Sequence, residues 1–124
     1  DVSARDVQTA HKQWYFGKSL DGFTPIGPCI VTADAFADYP PRLGIRSFVN
    51  GEKRQDSNTA LQIFDIDHVI AELSQGMTLK AGTIIATGTP AGVGMGMDPP
   101  QFLKPGDVVR CEIEGIGTLT NPVK

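Results

Sequence analysis

A glycine-rich loop with two similar flanking segments constrains the fold more than any other feature of this sequence. The loop spans residues 87–96 (TGTPAGVGMG) and contains four glycines. Glycine adopts backbone conformations closed to other residues and lets backbone N–H groups approach a ligand. The flanking segments, 79–85 and 103–109, both read Leu-Lys-x-Gly followed by a polar residue and two β-branched residues. Each is typical of a turn leading into a strand, so we predict a loop framed by two strands, with a plain turn without a ligand as the alternative.

The remaining turn signals favour a mainly β fold. Asn50-Gly51 separates two strand candidates, residues 43–49 and 52–57, and suits the type I′ turn of a hairpin. Residues 29–32 form a further strand candidate, and everything after residue 76 reads as strands and turns. Residues 67–75 are the clearest helix, with Asp67 as a cap and Gly76 after its end. One clear helix among about six to eight strand candidates predicts a mainly β class with minor α.

Length and charge exclude several classes of protein. The 124 residues correspond to one domain with enough chain for a core. A net charge of -3 without a basic run argues against nucleic acid as a partner. No apolar stretch approaches the roughly 20 residues that span a bilayer, so we expect no membrane partner. Without a charged and apolar leader, a cytoplasmic location is the default expectation. The chain begins at Asp1, inside sequence that reads as structured, so we expect it to be incomplete at the N-terminus.

The cysteines and histidines do not form a recognised motif. Cys29 and Cys111 are isolated, and we predict small buried thiols in a reducing compartment rather than a disulfide. Together with His11 and His68 they match no metal-ligand spacing. His11 is the only plausible general base near the N-terminal polar residues, although a partly packed side chain is its more ordinary role. His68 lies in the first turn of the predicted helix, where we expect a surface side chain.

A few polar residues could carry chemistry, and each could equally be an exposed charge or a turn hydroxyl. An aspartate can ligate a hard cation, but such a site needs several oxygen ligands. Arginine and lysine suit an anionic substrate, and lysine can also donate to a developing oxyanion. A phosphate-binding Gly-Lys-Ser loop at residues 17–19 is excluded because Lys12 stands where that motif requires glycine. The candidates are Asp1, Arg5, Asp6, Gln8, Lys18 and Thr89.

Several motifs, in the same order, resemble those of the fumarylacetoacetate hydrolase family. The likeness runs from Asp1 to about Val123. The motifs lie at residues 1–8 (DVSARDVQ), 17–28 (GKSLDGFTPIGP), 49–59 (VNGEKRQDSNT), 87–94 (TGTPAGVG) and 105–107 (PGD). The resemblance implies a mixed β-roll or β-sandwich catalytic domain over residues 1–124, usually in a homodimer, with Mg²⁺ or Mn²⁺ chelated by a small 2-oxo acid substrate.

The resemblance also implies a role for individual residues. Asp1 matches a metal ligand, and Arg5 and Gln8 match substrate-facing positions in the same motif. Lys18 matches the lysine that stabilises enolate charge, and Arg5 is expected to assist it. Thr89, with Gly88 beside it, matches the position that binds the substrate carboxylate.

One part of the family pattern is not found in this sequence. The resemblance implies a glutamate pair as further metal ligands and a histidine–glutamate dyad that activates water, and both would lie upstream of the aspartate motif. Glu112 and Glu114 have a Glu-x-Glu spacing but fall in another part of the pattern. We predict that they lie on the outward face of a strand.

Three functional hypotheses follow. The first is a divalent-metal-dependent hydrolase that cleaves a C–C bond in a small 2-oxo acid such as an acylpyruvate or fumarylpyruvate. The second keeps the family but changes the reaction, to an oxaloacetate decarboxylase, a tautomerase or a 2-hydroxymuconate-type isomerase, with no attacking water. The third is a non-catalytic piece that lacks the upstream glutamates.

Overall fold

The computed structural model describes residues 1–10 and 12–124, so His11 lies outside the described residues. The described chain forms three short helices and four strands, which confirms the mainly β prediction. Three single 3-10 turns lie at Ala33–Ala35, Thr59–Leu61 and Gly94–Gly96. The helices and strands are α1 (Arg5–Ala10), α2 (Trp14–Lys18), β1 (Gly44–Val49), β2 (Glu52–Asn58), α3 (Ile66–Ser74), β3 (Val108–Ile113) and β4 (Gly117–Pro122).

The four strands form one antiparallel sheet in the order β2-β1-β3-β4. The predicted hairpin is confirmed as β1–β2, and both turn residues have positive φ, 52° at Asn50 and 85° at Gly51. These are the backbone conformations that a type I′ turn requires. A register shift between Ser47 and Phe48 marks a bulge in the hairpin. The second neighbour of β1 is β3, which lies far along the chain.

Asn50 of the hairpin turn also forms hydrogen bonds with the start of β3. The Asn50 Nδ2 atom donates to Asp107 Oδ1 at 2.9 Å, and the Val108 N–H donates to Asn50 Oδ1 at 2.9 Å. The other Asp107 oxygen accepts the Lys104 backbone N–H at 2.9 Å. The Asn50 amide first, and then the Lys104 N–H, hold the pKa of the Asp107 carboxyl below its usual value. Asn50 therefore joins the hairpin to the distant end of the sheet.

Helix α3 confirms the predicted helix with a different cap. It begins at Ile66, and the Asp65 carboxylate accepts the His68 N–H at 2.7 Å. Asp67 lies inside the first turn because Asp65, with its extended backbone, precedes it at the N-cap. His68 is exposed and stacks on Phe64 with ring centroids 4.7 Å apart, so its predicted surface position is confirmed.

Two strand predictions are wrong. Residues 29–32 and 83–85 are irregular and pair with no strand in the part of the chain that the structure describes. Ile30 and Ile84 are 80% and 66% exposed. A β-branched run becomes a strand only where a partner edge is within reach, and of the two segments that frame the glycine-rich loop only the second finds one, as β3.

The expected core is not formed by the described residues, among which no hydrophobic side chain is fully buried. Tyr15 and Ile63 are 80% and 93% exposed. Cys29 and Cys111 are free thiols as predicted, but both are exposed, which corrects the prediction of burial. The physical reason is that the described chain has a single sheet without a second layer packed across it. No helix within residues 1–10 and 12–124 has the length and apolar character that crossing a membrane requires.

Candidate functional site

Lys18 and Asp1 form the most chemically distinctive contact of the N-terminal segment. The Lys18 ammonium donates to Asp1 Oδ1 at 2.8 Å and to Ser3 Oγ at 2.9 Å. The side chains of Lys18 and Asp1 are 32% and 50% exposed, so a ligand can reach both. The backbone supports this contact, because the Ala4 N–H donates to the Gly17 carbonyl at 2.9 Å. The start of the chain is thereby held against the end of α2.

Close packing of α1 on α2 encloses Gln8. A Cβ at Gly17 would lie 2.8 Å from the backbone of Gln8, so glycine is required there for the helices to approach. The Gln8 side chain is only 2% exposed, and its Oε1 atom has no hydrogen-bond partner among the described residues. An unpaired buried amide oxygen costs about 1–3 kcal/mol. Gln8 thus retains an acceptor that a ligand or a further protein group could satisfy, and Arg5 lies half-buried on the same helix.

The glycine-rich loop lies against strand β2. The Gln55 Nε2 atom donates to Thr89 Oγ1 at 2.8 Å and to the Pro90 carbonyl at 3.0 Å. The Ser47 hydroxyl of β1 donates to Gln55 Oε1 at 2.8 Å. Thr89 itself is exposed, as is Gly88, which has a φ of 102°. The loop is therefore held from the side of the sheet, and the Thr89 hydroxyl remains open to solvent.

The glycines of the loop serve close packing against backbone. A Cβ at Gly92 would overlap the Arg54 carbonyl, and a Cβ at Gly94 would overlap the Gln101 carbonyl. Arg54 adds a further contact between β2 and the residue that follows the loop, because its Nη1 atom donates to Met97 Sδ at 2.8 Å. The loop conformation therefore follows in part from packing on its own chain, while a role in ligand binding stays a prediction.

The predicted site residues fall into two groups. Asp1 and Lys18 are in contact, with Arg5 and Gln8 on the adjoining helix α1, whereas Gly88 and Thr89 lie on the loop. Among the described residues no hydrogen bond or ion pair joins the two groups. The sequence analysis missed Gln55 and Ser47, although Gln55 belongs to one of the motifs that carry the resemblance. A regular hairpin with this turn would place Ser47 opposite Arg54, and only the bulge brings Ser47 opposite Gln55, so no sequence signal pointed to this pair.

The described residues do not make a metal site by themselves. They contain no group of three or more His, Cys, Asp or Glu side chains that could hold an ion. Asp1 is a suitable hard oxygen ligand, but it is one carboxylate and is paired with Lys18. Glu112 lies on β3 as predicted and pairs with Arg110 at 3.0 Å. Glu114 instead lies in the turn after β3, where its Oε2 atom accepts the Gly44 N–H at 3.0 Å.

The described chain thus combines one four-stranded antiparallel sheet with a lysine–aspartate pair and a glycine-rich loop. The family model described as fumarylacetoacetate (FAA) hydrolase C-terminal matches residues 1–124. The chain therefore belongs to the fumarylacetoacetate hydrolase family, as its motifs predicted, and has the fold of that family.

Several curated relatives are named as oxaloacetate tautomerases. The chain is 50% identical to oxaloacetate tautomerase YisK of Bacillus subtilis, over 99% of this chain and 40% of the relative. It is 51% identical to the mitochondrial oxaloacetate tautomerase fahd2 of Xenopus laevis, over 99% of this chain and 39% of the relative. The chain thus spans about two fifths of the length of these relatives.

Solved structures of the family agree on the fold and differ in the activity that they name. A fumarylacetoacetate hydrolase from psychrophilic Exiguobacterium antarcticum is similar with a TM-score of 0.94 and 56% identity, over 100% of this chain and 44% of that chain. A 2-hydroxyhepta-2,4-diene-1,7-dioate isomerase from Mycobacterium marinum is similar with a TM-score of 0.84 and 47% identity, over 98% of this chain and 44% of that chain.

Proposed function

We propose that this chain supplies part of the active site of an enzyme that interconverts the keto and enol forms of a small 2-oxo acid such as oxaloacetate. The observation that carries the proposal is the Lys18 ammonium, held 2.8 Å from Asp1 and 2.9 Å from Ser3 yet still partly exposed. The names of the curated relatives support a tautomerase, and that of the Mycobacterium marinum structure supports an isomerase. These findings favour the second of the three hypotheses over the hydrolase.

The chemistry requires a group that stabilises an enolate oxygen. In enolisation a C–H bond next to the 2-oxo group breaks, the electron pair moves onto the oxygen, and an O–H bond forms there. Lysine carries three N–H donors, and Asp1 and Ser3 accept two of those of Lys18. The third has no acceptor among the described residues and is available to donate to the enolate oxygen, where a preorganised donor lowers the barrier most effectively. The reaction moves a proton and needs neither water nor an oxidant.

The remaining site residues suit the anionic ends of the substrate. Arg5 would bind a carboxylate as a planar fork, and Thr89 with the backbone at Gly88 would bind another. The Gln8 Oε1 atom, which has no hydrogen-bond partner among the described residues, can only accept, so it would suit a protonated group of the ligand rather than a carboxylate. The family generally uses divalent metal ions, and such a cation, when bound, would polarise the 2-oxo group, with Asp1 as one ligand and Mg²⁺ or Mn²⁺ both suited to oxygen ligands.

A C–C bond hydrolase is the second candidate, and one observation favours it. The Exiguobacterium antarcticum structure, 56% identical to this chain, carries the name fumarylacetoacetate hydrolase. Cleavage of an acylpyruvate also leaves an enolate, so Lys18 would play the same part in that reaction. The two reactions differ in whether a water molecule attacks a carbonyl, and decarboxylation of oxaloacetate, which also leaves an enolate, needs no such water.

The products distinguish these reactions. The longest protein that contains this chain is mixed with Mg²⁺ and either oxaloacetate or an acylpyruvate, and the enol absorbance, pyruvate and carbon dioxide are followed. We expect fast keto–enol exchange of oxaloacetate without loss of carbon dioxide. Rapid release of carbon dioxide would indicate a decarboxylase, and pyruvate formed from the acylpyruvate would indicate the hydrolase. No turnover together with no Mg²⁺ binding would support the non-catalytic hypothesis. The oligomeric state of the same sample tests the expected homodimer.

A further inference from the structure

We propose that Gln55 is a positioning residue that makes the Thr89 hydroxyl a hydrogen-bond donor toward the substrate carboxylate. The inference rests on the proposed function, because it assumes that Thr89 binds an anionic end of a 2-oxo acid. It assigns a role to a side chain of the sheet that lies outside the predicted site residues.

The neighbours of Gln55 determine which way its amide points. The Pro90 carbonyl can only accept a hydrogen bond, and it lies 3.0 Å from Nε2. The amide nitrogen must therefore face the loop and the amide oxygen must face Ser47. The Ser47 hydroxyl completes this arrangement by donating to Gln55 Oε1 at 2.8 Å. A flipped amide would place its oxygen against the Pro90 carbonyl, and that carbonyl would then lose the donor that it has in the observed orientation.

This orientation determines the polarity of Thr89. Gln55 Nε2 donates to Thr89 Oγ1 at 2.8 Å, and an amide nitrogen cannot accept a hydrogen bond in return. The one hydrogen of the Thr89 hydroxyl therefore points away from Gln55. Thr89 is exposed, so that hydrogen can reach a ligand. A carboxylate accepts only, and a hydroxyl already held as an acceptor is a donor with its orientation set in advance.

The sheet makes the arrangement rigid. Ser47 and Gln55 are directly paired across β1 and β2, and the register shift of the hairpin follows immediately after Ser47. Residues at facing positions of an antiparallel pair present their side chains on the same face. Both side chains are half-buried, whereas Thr89 is exposed. The polarity of the loop hydroxyl is thus imposed by strands that do not themselves carry a predicted site residue.

The substitution that tests the polarity of the Thr89 hydroxyl most directly is Gln55→Glu, made in the longest protein that contains this chain. A glutamate carboxylate accepts only, so it would take the Thr89 hydrogen and place a negative charge beside the substrate carboxylate. We expect KM for oxaloacetate to rise about 10- to 100-fold while kcat changes less than about threefold, since the interaction binds the anion and does not act on the enolate. Gln101→Glu is the matched control, because it introduces the same charge at an exposed residue near the loop, and it should leave KM within about twofold.

A double-mutant cycle separates positioning from a merely structural role. Gln55→Leu alone should raise KM about five- to tenfold, but in a Thr89→Val background it should raise KM less than about twofold, because the hydroxyl that Gln55 orients is absent. Equal effects of Gln55→Leu in the two backgrounds would overturn the proposal. Thermal melting accompanies each variant, and if Gln55→Glu does not fold, the neutral cycle still decides the question.

Binding of oxalate, measured by calorimetry with the same variants, keeps this inference distinct from the proposed function. If the protein does not tautomerise oxaloacetate but binds oxalate, and the cycle in Kd is non-additive, the role of Gln55 stands and the proposed reaction is wrong. If the protein is a tautomerase and both cycles are additive, the reaction stands and the role of Gln55 is wrong. Absence of both turnover and oxalate binding would overturn both.

Discussion

At the scale of single residues, the chemistry of this chain is concentrated at the Lys18 ammonium. Its two protein acceptors are a carboxylate and a hydroxyl, so one charge-assisted hydrogen bond and one ordinary hydrogen bond hold it in place. A charge-assisted donor held in place before the reaction is effective because it does not have to reorganise as the enolate forms. The lysine is therefore expected to matter for turnover more than for folding.

The first prediction concerns Lys18→Ala. In the longest protein that contains this chain, we expect kcat for oxaloacetate tautomerisation to fall by about 10²- to 10³-fold, with a smaller change in KM, because the donor acts on the enolate. Steady-state kinetics following the enol absorbance measure the effect. Lys80→Ala, at an exposed lysine, is the control and should retain turnover. Near-normal activity of Lys18→Ala would remove this residue from the mechanism.

At the scale of elements, the glycine-rich loop depends on its fit to neighbouring backbone. Gly94 and Gly96 belong to the same 3-10 turn, and neither has a positive φ. They differ in their surroundings, because a Cβ at Gly94 would overlap the Gln101 carbonyl whereas one at Gly96 would lie 3.7 Å from Val93 Cγ2. A comparison of alanine substitutions at these two glycines therefore measures the effect of steric packing, because neither position requires a positive φ.

The second prediction uses that pair. Gly94→Ala should lower the free energy of unfolding by about 1–3 kcal/mol, because the loop or the segment at Gln101 must shift to admit the methyl group. Gly96→Ala should change it by less than about 0.5 kcal/mol. Urea unfolding of both variants provides the measurement. Equal stabilities would show that the loop does not pack closely against the Gln101 carbonyl.

The hydrogen bonds that join Asn50 of the hairpin turn to Asp107 and Val108 at the start of β3 are expected to depend on pH. The carboxyl pKa of Asp107 is held below its ordinary value of 3.8, first by the Asn50 amide. A group whose folded pKa is depressed contributes stability that is present above the unfolded pKa and is lost as the pH falls through the folded pKa. The contribution of Asp107 is therefore complete at neutral pH and decreases below about pH 4.

The third prediction follows from that sign. The melting temperature should fall less between pH 6 and pH 3 in Asp107→Asn than in the unmodified protein, because the variant no longer has this proton-linked contribution. Asp38→Asn, at an exposed residue of an irregular segment, should keep the pH dependence of the unmodified protein. Identical pH profiles for Asp107→Asn and the unmodified protein would show that the Asp107 carboxylate does not contribute to stability in this way.

At the scale of the whole molecule, apolar side chains are left on the surface of the described chain. Ile63 and Tyr15 are 93% and 80% exposed, and no hydrophobic side chain among the described residues is fully buried. Isolated apolar residues are ordinary on a protein surface, but a domain normally encloses a core of its own. The described sheet therefore has apolar surface that further protein, from the same polypeptide or from a second copy, would cover.

The fourth prediction tests this conclusion. A polypeptide limited to residues 1–124 should bind the dye ANS and should associate at micromolar concentration, because its apolar surface has no internal layer to cover it. A longer protein containing the same residues should bind less dye per chain. Fluorescence titration and sedimentation velocity make the comparison. Weak dye binding by a monomeric 124-residue polypeptide would show that these residues stabilise themselves without further protein.

The sequence alone determined the features that depend on a few neighbouring residues. Asn50-Gly51 specified the hairpin turn because few residues tolerate positive φ, and the apolar spacing within residues 67–75 specified the helix. The motifs identified the family for the same reason, because each is a short run of residues that can be recognised without knowing its contacts. The candidate residues Asp1, Lys18 and Thr89 were found in this way, although their roles stay predictions.

The tertiary structure alone decided which distant residues meet. The pairing of Gln55 with Thr89, 34 residues apart, and of Asn50 with Asp107, 57 apart, depends on where the chain closes on itself. It likewise decided that residues 108–113 find a strand partner while residues 83–85 do not, and that the cysteines are exposed. Strand pairing and burial are properties of the partner surface as much as of the segment, and local sequence does not contain that surface.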